Sequence, residues 1–571
     1  MTFESLYIGV EAMRASQGAL SVVGHNIANV NTEGYTRQRA NIESNTPMDK
    51  FPGQMGTGSH VEEIQRLTDS FTRIQLELEK QKEGQYSVES DILQEIEQVL
   101  NEPTDSGLQQ ALSEFFNSFH TLANAPEEFG NRNLIIEQGI NLSSKLHSLA
   151  SQLKDVQSQA DQLVELKVNE VNSITARIAS LNKQISSVEV AEGQNANDLR
   201  DARELLFRDL NKIITVTSYE DENKNLFVEA NGSVLVAHTK SVLISTVRDV
   251  NGYLVPADKN SGTEIIIKGG EFKGALDARD IKLQDALDSL DSLSKNIITE
   301  VNRIHSQGTS LDGFDSITGD VVIGEPALNL VNSGLENIPV NGSFYLSAFN
   351  SSTQSLEEHE ITVDPYSDSM NDIITRINTA FGGGVGVPGI NVSASLNSAG
   401  QLEFQTAANY KLQFVEASTG NVDDSDFLLA AGVNTFFEGD SAYTISVKDF
   451  IKDNANNISA GRSLSIGDNS NALMMADLAT QYTMNNNQST FADYYAGMVS
   501  EAGTDSQVAI RNEENQESLV AMLEERLLST TGVSLDEEGA NLLVYQRMYQ
   551  AGAKFINVMN SVLDTLINGL V

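Results

Sequence analysis

The sequence predicts an α+β multidomain protein: a long α-helical, coiled-coil-like bundle formed by both chain ends, with β-rich domains inserted into it. Three observations lead to this prediction. Apolar residues recur at alternating steps of three and four at both chain ends, as they do in packed helices. The same period fills residues 140–190. By contrast, residues 213–273 and 321–450 carry the alternating or β-branched runs that are typical of strands.

Each chain end predicts an amphipathic helix, and the two apolar seams match. The first seam consists of Leu6, Gly9, Met13, Ser16, Leu20, Val23, Ile27 and Val30. The second consists of Leu542, Tyr545, Tyr549, Gly552, Ile556, Met559, Leu563 and Leu566. Small residues such as Gly9 and Ser16 permit close helix approach, so we expect residues 1–38 to pair with residues 535–571. Asn29 to Gly34 predict the end of the first helix, since Asn and Gly tolerate the left-handed conformation.

The helical middle predicts rod-like elements. The seam in residues 140–190 shows a phase break near Lys167, and about 45 helical residues would extend about 70 Å. Further seams predict helices at residues 283–304 and 505–529, which we expect to bundle as antiparallel partners.

Turn residues mark two β regions. Asn231-Gly232 and Asn251-Gly252 predict hairpins in the first region, because Asn-Gly suits the tight turns that join antiparallel strands. In the second region, residues 372–381 predict one helix.

This order of patterns predicts a helical rod with β outgrowths and with both chain ends at one tip. The predicted segments are an N-terminal axial helix (1–38), the first part of a helical rod domain (39–205), a small β domain (206–274), a helix returning to the rod (275–310), a larger β-rich outer domain (311–454), the last part of the rod domain (455–534) and a C-terminal axial helix (535–571).

Composition excludes several classes of function. The formal net charge is −42, which would repel nucleic acid and anionic membranes. There is no cysteine, so disulfides and thiolate chemistry are excluded. The start of the sequence, MTFESLYIGVEAMRAS, does not resemble a cleaved signal peptide or a membrane anchor. Residues 311–454 hold 20 acidic and four basic residues, whereas both ends are nearly neutral and so suit contact with other chains.

Motifs that could carry chemistry are weak. Gly384, Gly386 and Gly389 satisfy GxGxxG, but a helix is predicted before them and a strand after, the reverse of a dinucleotide site. His359 has no second histidine at helical spacing, and residues 312–320 match a calcium loop only loosely. We therefore predict no catalytic, metal or cofactor site.

Two terminal motifs resemble one family. Residues 19–38, ALSVVGHNIANVNTEGYTRQ, and residues 532–551, GVSLDEEGANLLVYQRMYQA, are similar to the paired terminal motifs of flagellar rod, hook and hook-associated proteins. Residues 197–203, 269–280 and 301–308 resemble the hook-associated members. The resemblance covers roughly residues 1–310 and 455–571, and it leaves the outer β-rich domain unmatched.

The resemblance implies a non-enzymatic structural subunit that forms a ring between hook and filament and so allows filament assembly and motility. It implies secretion into the flagellum by type III export without a cleaved signal peptide. The implied partners are further copies of the chain, the hook protein, the second junction protein (hook-associated protein 3) and an export chaperone on the C-terminal helix. Nucleic acid, membrane and cofactors are not implied.

A helical apolar stripe can also belong to an ordinary surface helix packed on its own core. The position of both stripes at the extreme chain ends, next to loop-like tracts, favours assembly instead. The residues expected at the assembly interface are Leu6, Met13, Leu20, Ile27, Asn29, Tyr545, Tyr549, Ile556, Met559, Leu563 and Leu566.

Three other interpretations stay open. A hook or distal rod protein would share the terminal motifs, although the long helical middle disfavours both. An adhesin-like coiled-coil surface protein would share acidic β domains and long helices. An enzyme would need a polar constellation in the outer β-rich domain.

Overall fold

The computed structural model describes residues 2–51, 53–101, 107–190, 194–382, 391–416 and 418–569. These residues form two compact units. The first comprises residues 1–93, 157–281 and 505–571, and the second comprises residues 94–156 and 282–504. The α+β multidomain prediction is confirmed, with long helices at both chain ends and several small sheets between them.

The helices are α1 (Thr2–Ala28), α2 (Ser70–Leu100), α3 (Leu108–Asn124), α4 (Phe129–Val188), α5 (Asn197–Ile213), α6 (Glu271–Asp277), α7 (Gln284–Ser306), α8 (Met370–Ala380), α9 (Phe427–Ala430), α10 (Asp449–Asp453), α11 (Ser470–Asp477), α12 (Phe491–Thr531) and α13 (Leu535–Asn568).

The strands are β1 (Gln38–Ser44), β2 (Met48–Lys50), β3 (Gly53–Met55), β4 (Ser59–Arg66), β5 (Thr217–Glu220), β6 (Leu226–Ala230), β7 (Ser233–Ala237), β8 (Lys240–Ser241), β9 (Ile244–Arg248), β10 (Leu254–Asp258), β11 (Ser316–Val322), β12 (Gly342–Asn350), β13 (Ser355–Val363), β14 (Val392–Leu396), β15 (Gln401–Thr406), β16 (Tyr410–Gln413), β17 (Phe437–Glu438) and β18 (Ser446–Val447).

Helix α4, which contains the seam predicted in residues 140–190, is longer than expected. α4 runs without interruption through Lys167. The buried positions continue through Val164, Val168 and Val171, and this line of residues, rather than one through Leu163, carries the seam. Similarly, α12 begins 14 residues before the predicted start at residue 505.

The tract after α1 forms strands, although the sequence predicted a loop leading into helices. β1 pairs antiparallel with β4, and β2 pairs with β3 beyond them to form a hairpin. The physical reason is a period-two pattern that turns Ala40, Ile42 and Val61 toward α1. The sheet thereby covers one side of α1. The predicted end of α1 is confirmed, since Gly34 has φ +76° in the following turn.

The other local predictions are confirmed. Antiparallel hairpins β6–β7 and β9–β10 turn at the two Asn-Gly pairs, where Asn231 and Gly232 both have positive φ. The predicted helix in the outer region is α8, and a reciprocal capping box between Ser369 and Asp372 starts it. His359 lies on β13. The glycine motif at residues 384–389 lies outside the described residues.

The second unit contains an apolar core between two three-stranded sheets, β11-β15-β14 and β13-β12-β16, and helix α8. Beside it, a fully buried histidine joins the end of α7 to two loops. His305 Nδ1 donates to the Asn434 carbonyl at 2.7 Å, and its Nε2 accepts from the Ser459 amide at 3.1 Å. Burial lowers the pKa of His305 to about 4, so the ring is neutral.

Candidate assembly interface

α1 and α13 pack antiparallel at very close range. A methyl group added at Gly9 would lie 2.7 Å from Cγ1 of Ile556, and one added at Gly552 would lie 2.9 Å from Cγ of Met13. At the other end of the contact, Tyr545 packs near Ala19 and Val22. The two glycines therefore let the helix axes approach closely, as the small seam positions predicted.

The structure places the predicted assembly residues mainly within this helix pair. Ten of them are partly buried, namely Leu6, Met13, Leu20, Ile27, Asn29, Tyr545, Tyr549, Ile556, Met559 and Leu563. Leu566 is exposed. The Asn29 side chain donates to the His25 carbonyl at 3.0 Å and so helps to end α1. Whether these residues also contact other subunits stays a prediction.

A second apolar stripe on α13 faces solvent. It consists of Val544, Met548, Ala551, Phe555, Val558 and Val562. Each of these residues directly precedes a residue of the seam that faces α1. We call this stripe the free face. Its large side chains are between 41% and 53% exposed. The opposite flank of α13 is polar, with Gln546, Gln550, Asn557, Asn560 and Asp564.

Phe555 lies at the edge of this stripe, where its ring is also close to Gly9 of α1. A half-exposed apolar stripe of this length on a surface helix is typical of a protein-protein contact. Its steps of four and three repeat the heptad, so it can accept a further helix or sheet. Sequence analysis missed the free face because only one seam was assigned to each helix. The signal was present in the printed sequence, one residue out of phase with the assigned seam.

A polar network closes the base of the helix pair. Arg37 donates to Glu538 at 2.7 Å and also pairs with Glu537 in the first turn of α13, while the Arg37 amide donates to the Thr531 carbonyl at 2.8 Å. Glu538 is buried, with 1% exposure. These contacts tie the chain leaving α1 to the start of α13.

The same network joins two sequence motifs that are far apart along the chain. In residues 35–38, the Thr36 amide donates to Asp201 at 2.9 Å, and the Gln38 side chain donates to Asp198 at 2.7 Å. Arg66 of β4 donates to Asp201 at 2.7 Å and to Glu204 at 2.8 Å. We call residues 35–38, Arg66 and the acids of α5 the base clamp. The family-like residues 197–203 therefore help to position the terminal helices.

Burial in the base clamp perturbs the charged groups. It raises the pKa of Asp201, although Arg66 and the Thr36 amide favour the charged carboxylate. Burial also opposes the charge of Arg66, but the neighbouring carboxylates outweigh it and raise the pKa of Arg66. The guanidinium is thus charged at any physiological pH, and the clamp is an ion-pair network.

Other kinds of site are not supported by the described part of the chain. There, no group of three or more His, Cys, Asp or Glu side chains could hold a metal ion. None of the helices of the described residues is long and apolar enough to cross a membrane.

Comparison with protein families gives matches at both ends and in the middle. The helical-domain model of flagellar hook-associated protein FlgK matches residues 93–320. The model of flagella basal body rod proteins matches residues 6–36, and the C-terminal model of flagellar basal body rod FlgEFG proteins matches residues 525–569. The last two contain most of α1 and the whole of α13.

Individual relatives match the whole chain. Flagellar hook-associated protein 1 of Bacillus subtilis (strain 168) is 28% identical over 100% of this chain and 98% of its own length. The proteins of the same name from Salmonella typhimurium and Escherichia coli (strain K12) are each 26% identical over 98% of both chains. A solved structure of the flagellar hook junction protein FlgK from Burkholderia pseudomallei is similar in fold, with a TM-score of 0.50, 17% identity, and coverage of 81% of this chain and 100% of that one.

The chain pairs its two terminal helices, and models of flagellar rod proteins match both of its ends. These features are those of the class of flagellar axial proteins. Within that class, the chain is similar from end to end to proteins named flagellar hook-associated protein 1.

Proposed function

We propose that this chain is a structural subunit of the junction between the flagellar hook and filament, where it assembles with copies of itself. The observation that carries the proposal is the free face of α13, an apolar surface left open on a helix whose other apolar seam is already filled by α1. Similarity to hook-associated protein 1 along the whole chain gives this surface its context.

The other parts of the proposal follow from the same context. Hook and filament components lie on the two sides of the ring, and the second junction protein, hook-associated protein 3, is the neighbour on the filament side. The chain is exported through the flagellar type III channel without a cleaved signal peptide, and a chaperone covers the C-terminal helix before export. An exposed apolar helix of this kind needs such cover in the cytoplasm because it promotes aggregation. The protein has no enzymatic activity in this proposal.

Deletion of the gene tests the proposed function. We expect cells that keep their hooks and lose their filaments, with filaments restored by the wild-type gene. Loss of the hook as well would indicate a hook or rod protein, and normal filaments would overturn the proposal. Electron microscopy of isolated hook-basal bodies distinguishes these outcomes.

A further inference from the structure

The β2–β3 hairpin shows apolar side chains to solvent at the edge of the terminal helix pair. Phe51 at its turn is fully exposed, and Met48 and Met55 are exposed by about two fifths. Together with Tyr7 and Ile8 of α1, the two methionines line a cavity of about 320 Å³. An ion pair between Lys50 and Glu4 holds the hairpin on α1. A small hairpin with three exposed large apolar side chains is typical of a docking element.

The β1–β4 sheet and α13 contact different faces of α1 and meet at Tyr545, which packs in the same cluster as Ala40 and Val61. Gly18 of α1 contacts Val61 of the β1–β4 sheet, whereas Gly9 contacts Ile556 of α13. These glycines are nine residues apart, and at about 100° per residue they point in opposite directions. Each subunit therefore carries the sheet with its hairpin on one face of α1 and α13 on another. Two different surfaces on one subunit suit a head-to-tail contact between copies.

The apolar patches of the two flanks lie at the same level along α1. The hairpin lines its cavity with residues 4–8 of α1. On the other flank, Ile556 contacts Gly9, and α13 runs antiparallel to α1, so Val558 and Val562 lie near the same first turns. A copy placed beside the first without axial displacement would hold its hairpin at the level of Val558 and Val562.

Charges of opposite sign are arranged in the same register. Glu43 and Glu62 lie on the sheet close to Val61, at the level of Gly18, and hydrogen bonding between these two acids raises the pKa of Glu62. On α13, Arg547 lies between Tyr545, near Ala19, and Gly552, near Met13.

Arg547 and Lys554 each come directly before a residue of the free face, and neither forms an ion pair within the described residues. The neighbouring acids Glu43 and Glu62 of the sheet are therefore complementary in charge to Arg547 of α13.

We propose that the β2–β3 hairpin docks on the free face of α13 in the neighbouring copy and so forms the lateral contact of the ring. The occupant of the free face is thereby a second copy of this chain. This inference rests on the proposed function and names the partner surface. In this contact Phe51 packs on the free face near Val558, and Glu43 and Glu62 of the sheet approach Arg547.

Disulfide cross-linking between two copies tests the contact, because the chain contains no cysteine of its own. Cells lacking the native gene would produce Phe51→Cys and Val558→Cys chains together, and isolated junctions would be oxidised and run on a non-reducing gel. We expect a cross-linked dimer that needs both variants. The matched control pairs Val558→Cys with Val250→Cys, which is equally exposed but lies on the β9–β10 turn, and we expect no dimer from it.

Three outcomes would overturn the docking while leaving the proposed function intact. The first is assembled junctions with filaments but without the mixed dimer. The second is a dimer formed by Val558→Cys chains alone, which would indicate that two free faces pack on each other. The third is an equal yield of dimer from the Val250→Cys control.

A second variant keeps the inference testable if the cysteines weaken assembly. We expect Phe51→Ser to reduce the fraction of cells with filaments at least tenfold, whereas Val250→Ser leaves it unchanged. Both positions are fully exposed, so neither change disturbs the folded monomer. Normal filaments with Phe51→Ser would contradict the inference, whereas filaments in the gene-deletion strain would contradict the proposed function itself.

Discussion

Replacing Gly9 by alanine probes the contact between the two terminal helices. The new methyl group would lie 2.7 Å from Cγ1 of Ile556 and 3.1 Å from Cδ1 of Phe555. Cγ1 belongs to a β-branched side chain with few allowed rotamers, so α13 itself must shift. Overpacking of this kind costs about 1–3 kcal/mol, and the higher helix propensity of alanine returns about 1 kcal/mol. We therefore expect the free energy of unfolding to fall by about 0–2 kcal/mol.

Gly24→Ala is the matched control on the same helix. A methyl group at Gly24 meets nothing within 4 Å, so the change should stabilise α1 by about 1 kcal/mol. The two variants should therefore differ by about 1–3 kcal/mol, and each 1.4 kcal/mol is tenfold in an equilibrium constant.

Hydrogen exchange of the purified full chain measures this difference. Amides of α13 opposite Gly9 should exchange faster in Gly9→Ala than in the wild type, and no faster in Gly24→Ala. Equal protection of α13 in both variants would refute the close packing of α1 on α13.

Two further predictions concern buried charges. Because the pKa of His305 is lowered to about 4, its contribution to stability, about 3 kcal/mol, is present above pH 6.5 and is lost as the pH falls toward 4. Burial raises the pKa of Asp423 to about 6, so its contribution is present below pH 3.8 and is lost as the pH rises through 6. Between pH 6 and 4 the two changes in the free energy of unfolding nearly cancel. Urea unfolding of Asp423→Asn, which lacks one of them, should therefore show a steeper loss of stability with falling pH than the wild type. Parallel pH profiles of the two proteins would contradict this. Arg37→Gln leaves Glu538 buried without its cation and should destabilise the first unit by about 3–5 kcal/mol. The control Arg14→Gln removes an exposed partner of Glu11 and should destabilise the unit by less than about 1 kcal/mol. Equal urea midpoints for the two variants would count against the base clamp.

Apolar periodicity predicted the long helices because it depends on residues close together in the chain. The seam of α1 and that of α13 were both visible in this way, including Gly9 as a point of close approach. α4 shows the limit of the method, since the assigned seam included Leu163, whereas the folded helix buries Val164. Periodicity alone does not decide which of two overlapping stripes is buried.

The strands that follow α1 were missed because turn-forming residues dominate the tract around them. Only Ala40, Ile42 and Val61 show the period of a strand, and their burial depends on α1 lying beside them. The base clamp was beyond prediction for a related reason. Asp201 bonds to Thr36 and Arg66, which are 165 and 135 residues away, and no local pattern specifies such partners.

The free face of α13 is the central element of the proposed assembly, and one pair of charge substitutions tests it most directly. Val558 lies on the free face and Asn557 on the opposite, polar flank, and both are exposed. Val558→Asp and Asn557→Asp therefore add the same charge at consecutive residues on different faces of α13. In a gene-deletion strain supplied with either variant, the measurement is the fraction of hooks that carry filaments. We expect bare hooks with Val558→Asp and normal filaments with Asn557→Asp. Normal filaments with both variants, or an equal loss with both, would contradict assembly through the free face.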